Sequence, residues 1–286
     1  MAVRDAKVLV FSVPVLAFAI ILVYIVLWNV YLSFMNWSAL TPQAKFVGFS
    51  TYAAVFSDAL FISSLVRSLL WAGGLVLIGN ALGIFLAALI YFVRSSRLRS
   101  VYLSLFVYPL AIPMAATALI WTWLFNVQDG INVLLRAVGI PGLPWLSEPS
   151  TAFPSLLLVT VWVFSGLAAL FYLASFYNVE QSVIESARID GAGSGTIFHK
   201  ILLPASKNAF IVSTALLLLF ALRIFSLPYV STGLNPYTET ATLNLYYFFI
   251  TEYFSRSAGV SVIIVVIATI IVIPYALYGI KRWISS

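Results

Sequence analysis

Six stretches of the chain are apolar and almost free of charge: residues 8–34, 68–93, 103–125, 153–176, 209–230 and 258–279. A helix needs about 20 mostly apolar residues to cross a hydrocarbon core. Each stretch is long enough. The pattern predicts an all-α, polytopic membrane protein with six transmembrane helices, forming a single domain over residues 1–286. The first stretch is too long for the apolar part of a signal peptide, and no small-residue cleavage site follows it. It is therefore expected to be retained as a helix. A shorter apolar run, residues 240–251, cannot span and predicts a surface or interfacial helix before the last span. No internal repeat is found, which weighs against a secondary transporter built from inverted repeats.

Composition says why lipid must be the solvent. Hydrophobic residues make up 63% of the chain and charged residues 8%, whereas soluble domains sit near ~45–50% and ~25%. The chain has no cysteine and a single histidine, His199. Thiol chemistry, disulfides and a histidine-rich metal site are thereby excluded, and no metal ligand set is expected.

The net charge of +6 invites a nucleic-acid reading, but the positions of the charges answer it. Arg4, Lys7, Arg94, Arg97, Arg99, Arg188, Lys200, Lys207, Lys281 and Arg282 fall on one side of the predicted spans. Lys45, Arg67, Arg136 and Arg256 fall on the other. The richer side faces the cytoplasm, so both termini are expected there, in the inner (cytoplasmic) membrane. No nucleic-acid partner is needed. The segments 36–65 and 128–152 become long external loops.

The longest cytoplasmic segment, residues 177–208, predicts a hairpin. Residues 179–189 have helical character. Gly191, Gly193 and Gly195 break it, residues 196–203 form a second short helix, and Pro204 ends that helix or starts the next element. An amphipathic helix with Glu185 and Arg188 beside small Ser186 and Ala187 suits a groove on a soluble partner. The glycine-rich run 191–195 lacks the lysine and the preceding strand of a phosphate-binding loop. It is read as a hinge, and ATP would have to be hydrolysed by another chain. His199, within the hairpin, is read as a surface or docking contact.

Glu185-Ser186-Ala187, three residues, Gly191, nine residues, Ile201, one residue, Leu203-Pro204 resembles the EAA motif of binding-protein-dependent permeases, written EAA-x3-G-x9-I-x-LP. Only Ser186 departs, a small residue for a small one. Further similarity lies in Lys45-Phe46-Val47-Gly48-Phe49 with Tyr52, Phe56 and Asp58. It continues in Pro113 followed by Trp121, Trp123, Leu124, Phe125, Gly130 and Asn132, and in Pro144-Trp145-Leu146-Ser147 ahead of Trp162. These resemble sugar permeases of the maltose/glycerol-phosphate subfamily of ABC transporters. Two departures stand out: Ser226 replaces a frequent acidic residue, and residues 232–236 replace a Gly-Gly-Pro.

The resemblance implies the type I ABC importer permease (MetI-like) fold. It implies a transport subunit, not an enzyme, that moves a sugar or oligosaccharide into the cytoplasm by alternating access. The hairpin would dock on an ATP-hydrolysing subunit through Glu185, Ser186, Ala187, Asp190, Gly191, Ile201, Leu203 and Pro204. Gly191 would supply the turn and Glu185 the polar anchor. The implied partners are two ATP-binding subunits, a second, non-identical permease and an external solute-binding protein, within membrane lipid. No cofactor is expected on this chain, with ATP and Mg held by the partner subunits.

Arg223 is the one charge well inside a predicted span, where it costs at least ~2.5–3.5 kcal/mol unless it faces protein or water. It is either a pathway residue for sugar hydroxyls or a structural partner of backbone carbonyls or of the second permease. Ser226 and Tyr229 lie within two turns of it. Most aromatics, including Trp28, Trp37, Trp121, Trp123 and Trp283, fit an interfacial belt. Trp162 lies deeper, next to Ser165 and Gly166, where a small residue would let a ligand approach. A permease for glycerol phosphate or another polar metabolite is the first alternative. An ion-coupled secondary transporter is the second, disfavoured by the absence of acids inside any span. A membrane-embedded enzyme lacks a cluster of His, Asp, Glu or Cys at one depth.

Overall fold

Hydrocarbon offers no hydrogen-bond partners, so a spanning backbone must satisfy itself within helices. The structure, a computed structural model, describes the backbone of residues 2–284 and side chains of residues 12–273. Arg4, Lys7, Lys281, Arg282 and Trp283, used above for orientation and for the belt, lie outside the described side chains. Among the described residues no strand forms; two isolated bridges, Met35–Phe46 and Ser38–Thr41, are the only β pairing.

The helices are α1 (Ala2–Ser33), α2 (Ser50–Phe56), α3 (Ala59–Phe92), α4 (Ser96–Ala111), α5 (Met114–Leu124), α6 (Ile131–Ala137) and α7 (Pro149–Tyr177). They continue as α8 (Gln181–Ile189), α9 (Ser194–Ile197), α10 (Leu203–Ala205), α11 (Lys207–Leu222), α12 (Ser226–Thr232), α13 (Ala241–Ile250) and α14 (Phe254–Ile284). Four of them contain an unbroken span by length and apolarity, in α1, α3, α7 and α14, and the number reaches six when each of two bent pairs is one span.

The bends refine the expected spans. The stretch 103–125 is not one straight helix: α4 and α5 meet at 100°. Pro113 is the cause. The residue before a proline is pushed out of helical geometry, and Ile112 is extended at φ −79°, ψ 127°. The stretch 209–230 breaks at Arg223–Phe225, between α11 and α12. The expected external loops also hold structure, since α2 and α6 lie within them and α3 begins at Ala59 instead of residue 68. Arg67 thereby lies on a helix, its Nε donating to the Glu239 carbonyl at 2.8 Å and its Nη2 to Ser63 Oγ at 3.1 Å. A helix does form where a surface or interfacial one is expected at 240–251: it is α13, with Ala241, Leu243, Asn244 and Phe248 buried.

Two compact units emerge, Met1–Ile62 with Asn244–Val266, and Ser63–Leu243 with Ile267–Ser286. In the second unit α7 is the central element, packed against α4 and α11, while α12 packs on α5. Lipid-embedded helices gain little from hydrophobic exclusion and rely on close approach and interhelical hydrogen bonds. Both are present. Gly83 of α3 sits where a Cβ would come 2.5 Å from the Ala168 Cβ, and Gly166 where a Cβ would come 1.9 Å from the Phe106 carbonyl oxygen of α4. Asn80 donates to Thr214 Oγ1 at 3.2 Å and accepts from the Tyr172 hydroxyl at 2.7 Å, tying α3, α11 and α7 together. Trp71 Nε1 donates to Thr160 Oγ1 at 3.0 Å.

In the first unit, Trp37 packs on Phe254 with ring centroids 4.7 Å apart. Its backbone N–H donates to Ser255 Oγ at 2.8 Å and its carbonyl accepts from the Ser255 N–H at 3.1 Å. Ser33 and Tyr52 share a 2.6 Å hydroxyl contact. The side chains of α1 from Val13 to Leu27 are largely exposed.

The Gly166 crossing yields a direct test. Gly166→Val places a branched side chain against the α4 backbone and should cost at least about 1–3 kcal/mol, the range for overpacking a close-packed core. Gly193→Ala, where a Cβ meets nothing within 4 Å, is the control. Thermal unfolding in detergent should show a clear drop for the first and little change for the second.

Candidate functional site

The hairpin begins where α7 ends. α8 closes in a left-handed glycine cap: the Gly191 N–H donates to the Arg188 carbonyl at 3.0 Å and the Ala192 N–H to the Ala187 carbonyl at 2.9 Å. This pair of bonds is the Schellman arrangement. Gly191 has φ +80° with open space around it, so conformation, not room, demands glycine here. Past the cap, α9 gives way to a π-helical turn, Phe198–Leu202, before α10. Pro204 has no N–H for the Lys200 carbonyl and its ring would crowd that carbonyl, which favours the wider turn. The second half of the hairpin is one continuous helical run, Ser194–Ala205, that contains the helix expected over 196–203 and is widened by the π turn, and it meets α11 at 66°.

Buried residues pin the hairpin. Ile184, Ile197 and Leu202 are enclosed in one cluster with Phe176, Tyr172 and Leu217. Phe198 meets the Phe176 ring edge-on at 6.2 Å, and Ser175 Oγ donates to the Ala205 carbonyl at 3.3 Å. The outward face carries Glu185, Ser186, Arg188 and Asp190, all exposed, with Ala187 half-buried. Glu185 accepts from Gln181 Nε2 at 3.3 Å one turn earlier. Ile189, at the tip, is 86% exposed, an apolar side chain with nothing of its own chain to cover it. Ile201 and Leu203 are half-buried and Pro204 exposed; His199 is exposed as well. The deepest anchors, Ile184, Ile197 and Leu202, fall on positions that the motif leaves unspecified.

The pathway candidates separate. Trp162 is 37% exposed and lies edge-on to Trp121 of α5 at 5.4 Å. Ser226 opens α12, and Tyr229 stacks on Phe225 at 5.2 Å. Because α12 packs on α5, Trp162, Trp121, Ser226 and Tyr229 belong to one region, around the buried cluster of Leu156, Val159, Ile224 and Leu227. Arg223 caps α11 at the break and is exposed. Among the described residues it has no hydrogen-bond or ionic partner, so pairing with carbonyls of this chain is not observed. Ser165 is buried. Gly166 departs from its expected role: the α4 backbone fills the space a ligand would need.

Two polar residues of α5, Thr117 and Thr122, escape a reading from sequence, and Trp121 departs from the belt expected for it. Thr117 Oγ1, Trp121 Nε1 and Thr122 Oγ1 are buried without a hydrogen-bond partner among the described residues, as is Ser231 Oγ of α12. Buried polar groups normally find partners. A belt tryptophan turns its N–H toward water or headgroups, which Trp121 does not, whereas Trp123 is 73% exposed and fits the belt. The four-residue spacing of Thr117 and Trp121 was the available signal. The external loop motif has a structural role: Asn132 Nδ2 donates to the carbonyls of Asn126, Val127 and Leu143, and its Oδ1 accepts from the Leu143 N–H and Trp145 Nε1.

Residues 79–282 match the family described as binding-protein-dependent transport system inner membrane component. The chain is 51% identical over 273 residues to the glucose import system permease protein GlcT of Saccharolobus solfataricus, covering 95% of this chain and 96% of that one. It is 30% identical to the xylose/arabinose import permease protein XacH of Haloferax volcanii, covering 89% and 82%. Its fold superposes on a chain of a bacterial ABC transporter involved in the import of the acidic polysaccharide alginate, with a TM-score of 0.85, 20% identity and coverage of 99% and 97%.

The cap makes a conformational prediction. Gly191→Val forces a branched residue into the left-handed region at a cost of about 1–3 kcal/mol, loosening the end of α8 and leaving membrane insertion intact. Hydrogen exchange should speed up at the Gly191 and Ala192 amides, while Gly191→Asn, which tolerates this region, should stay near wild type.

Proposed function

The chain belongs to the family of binding-protein-dependent transport system inner membrane components, and from that premise we propose that it imports a sugar or oligosaccharide as one permease of a two-permease ABC importer core. The observation that carries this reading is the hairpin. Its outward face is exposed and polar with an apolar tip, while its inward face is locked into the core beneath α7 and α11. Such an element transmits a push. An ATP-hydrolysing subunit that grips Glu185, Arg188 and Ile189 moves Ile184, Ile197 and Leu202. Close packing then obliges Phe176 and the ends of α7 and α11 to follow.

On this reading two ATP-binding subunits hold ATP and Mg and dock on the hairpins of this chain and of a second, non-identical permease. An external solute-binding protein delivers cargo to the opposite side. Both termini face the cytoplasm, in keeping with the Lys/Arg bias. The α5–α7–α12 region supplies what a saccharide needs: the ring faces of Trp162 and Tyr229, hydroxyls of Thr117, Thr122 and Ser226, and the Trp121 N–H. The 51% identity to a glucose import permease supports a sugar as cargo. The guanidinium of Arg223, without a partner among the described residues, favours a second reading in which the cargo carries an anion, such as glycerol phosphate.

Proteoliposomes holding the complete transporter test this. Glu185→Lys and Gly191→Val should each lower ATP-driven uptake at least about tenfold, a loss of ~1.4 kcal/mol of coupling, with the ATPase subunits still hydrolysing ATP. Unchanged uptake in both variants would rule out docking at this hairpin. Trp162→Ala should raise the sugar concentration for half-maximal uptake by about tenfold, the order expected for losing an aromatic stacking contact and its burial. Competition by phosphorylated against free sugars separates the anionic cargo from the neutral one.

A further inference from the structure

The first unit holds a cavity of about 240 Å³ that none of the roles above uses, with mixed polar and apolar walls drawn from nine residues between Met35 and Ala54 and from Tyr253, Ser255 and Arg256 at the turn into α14. The turn is built at a cost. Glu252 has φ +62° and is the non-glycine residue with a positive φ among those described. It occupies the position where helix caps favour glycine: its N–H donates to the Phe249 carbonyl at 3.1 Å, and the Tyr253 N–H donates to the Phe248 carbonyl at 2.8 Å. Strain of this kind persists where surrounding structure holds it, often at binding sites. Here it sets the Arg256 guanidinium over the Tyr253 ring at 5.0 Å, with Phe248 at 5.9 Å.

The two aromatic contacts leave the N–H edge of the guanidinium to other partners. Among the described residues no acceptor is bonded to that edge. The other polar groups of the cavity divide by role. The hydroxyls of Ser38, Thr41 and Thr51 are engaged within the chain, and Ser255 Oγ accepts from the Trp37 N–H. Asn36 Oδ1 accepts from the Lys45 N–H at 2.8 Å, which leaves Asn36 Nδ2 as a donor. Ser50 Oγ, at the rim, has no partner among the described residues. The cavity thus offers one fixed positive charge with uncommitted N–H and O–H donors in its lining. A planar guanidinium fork with neighbouring N–H and O–H donors matches two coplanar oxygens.

We infer that this cavity is a binding site for a carboxylate, held by Arg256 with Asn36 and Ser50. If the orientation proposed above holds, it opens on the external side, where a carboxylate has two sources: a free acidic sugar, or an Asp or Glu side chain of the docked solute-binding protein. The inference rests on that reading for its side of the membrane, but not for its chemistry.

The complete transporter in lipid nanodiscs separates the possibilities, with wild type compared with Arg256→Gln and with the double variant Asn36→Ala, Ser50→Ala. One arm titrates sodium glucuronate without receptor, with glucose as the neutral control, and follows tryptophan fluorescence, since Trp37 lines the cavity. The other arm measures capture of the receptor. Saturable glucuronate binding, absent for glucose and weakened at least tenfold in both variants, assigns the site to a free carboxylate. Inert glucuronate with receptor capture weakened at least tenfold in both variants assigns it to the receptor. Wild-type behaviour of both variants in both arms overturns the proposal. Failure of wild type to capture any receptor would strike at the importer reading and leave the glucuronate arm to decide this one.

Discussion

Close backbone approach to α7 is the constraint on which the rest of the second unit depends. Helices in lipid have no water to escape from, so contact distance and hydrogen bonding must do what exclusion does in soluble cores. At Gly83 and Gly166 the neighbouring helices come near enough that a single added carbon would collide with Ala168 or with the Phe106 carbonyl. That spacing places Asn80 within reach of both Tyr172 and Thr214. It also holds the lower end of α7 rigid at Phe176, where the hairpin is seated. A hairpin attached to a loose helix would move without moving the membrane domain.

The breaks within two of the expected apolar stretches belong to the same scheme. Irregular backbone at membrane depth is tolerated where protein or an aqueous cavity satisfies it. The break at Ile112–Pro113 frees α5 from the line of α4, and the break at Arg223–Phe225 frees α12 from α11. The two freed segments then pack on each other. The two segments carry Trp121, Tyr229 and the hydroxyls of Thr117, Thr122 and Ser231, which are buried without partners among the described residues, and Trp162 of α7 meets Trp121. Thr240 secures the break at Arg223–Phe225, donating to the Ile224 carbonyl at 3.0 Å.

Much of this was legible in the chain because lipid imposes a coarse rule: runs of apolar residues near 20 long must be helices. The hairpin was legible for a different reason, since Gly191 answers the local need of a left-handed cap and Pro204 the local change of helical turn. Less legible was whatever depends on a neighbour distant in sequence. Pro113 signals a break, but nothing local says that α5 turns by 100°. Gly166 reads equally as room for a ligand or as a helix crossing, and only the position of Phe106 decides. Trp121 resembles any belt tryptophan until α7 is packed beside it. Ile184, Ile197 and Leu202 are ordinary aliphatics until Phe176 closes over them.

The central claim is that the face of α8 presented to solvent is the seat of the ATP-hydrolysing subunit. Hydrogen–deuterium exchange on the membrane complex, with and without those subunits, addresses it most directly. The account predicts strong added protection confined to residues 181–191 and little change in amides of the first unit. Binding of the ATPase subunits with exchange across 181–191 unchanged would contradict it.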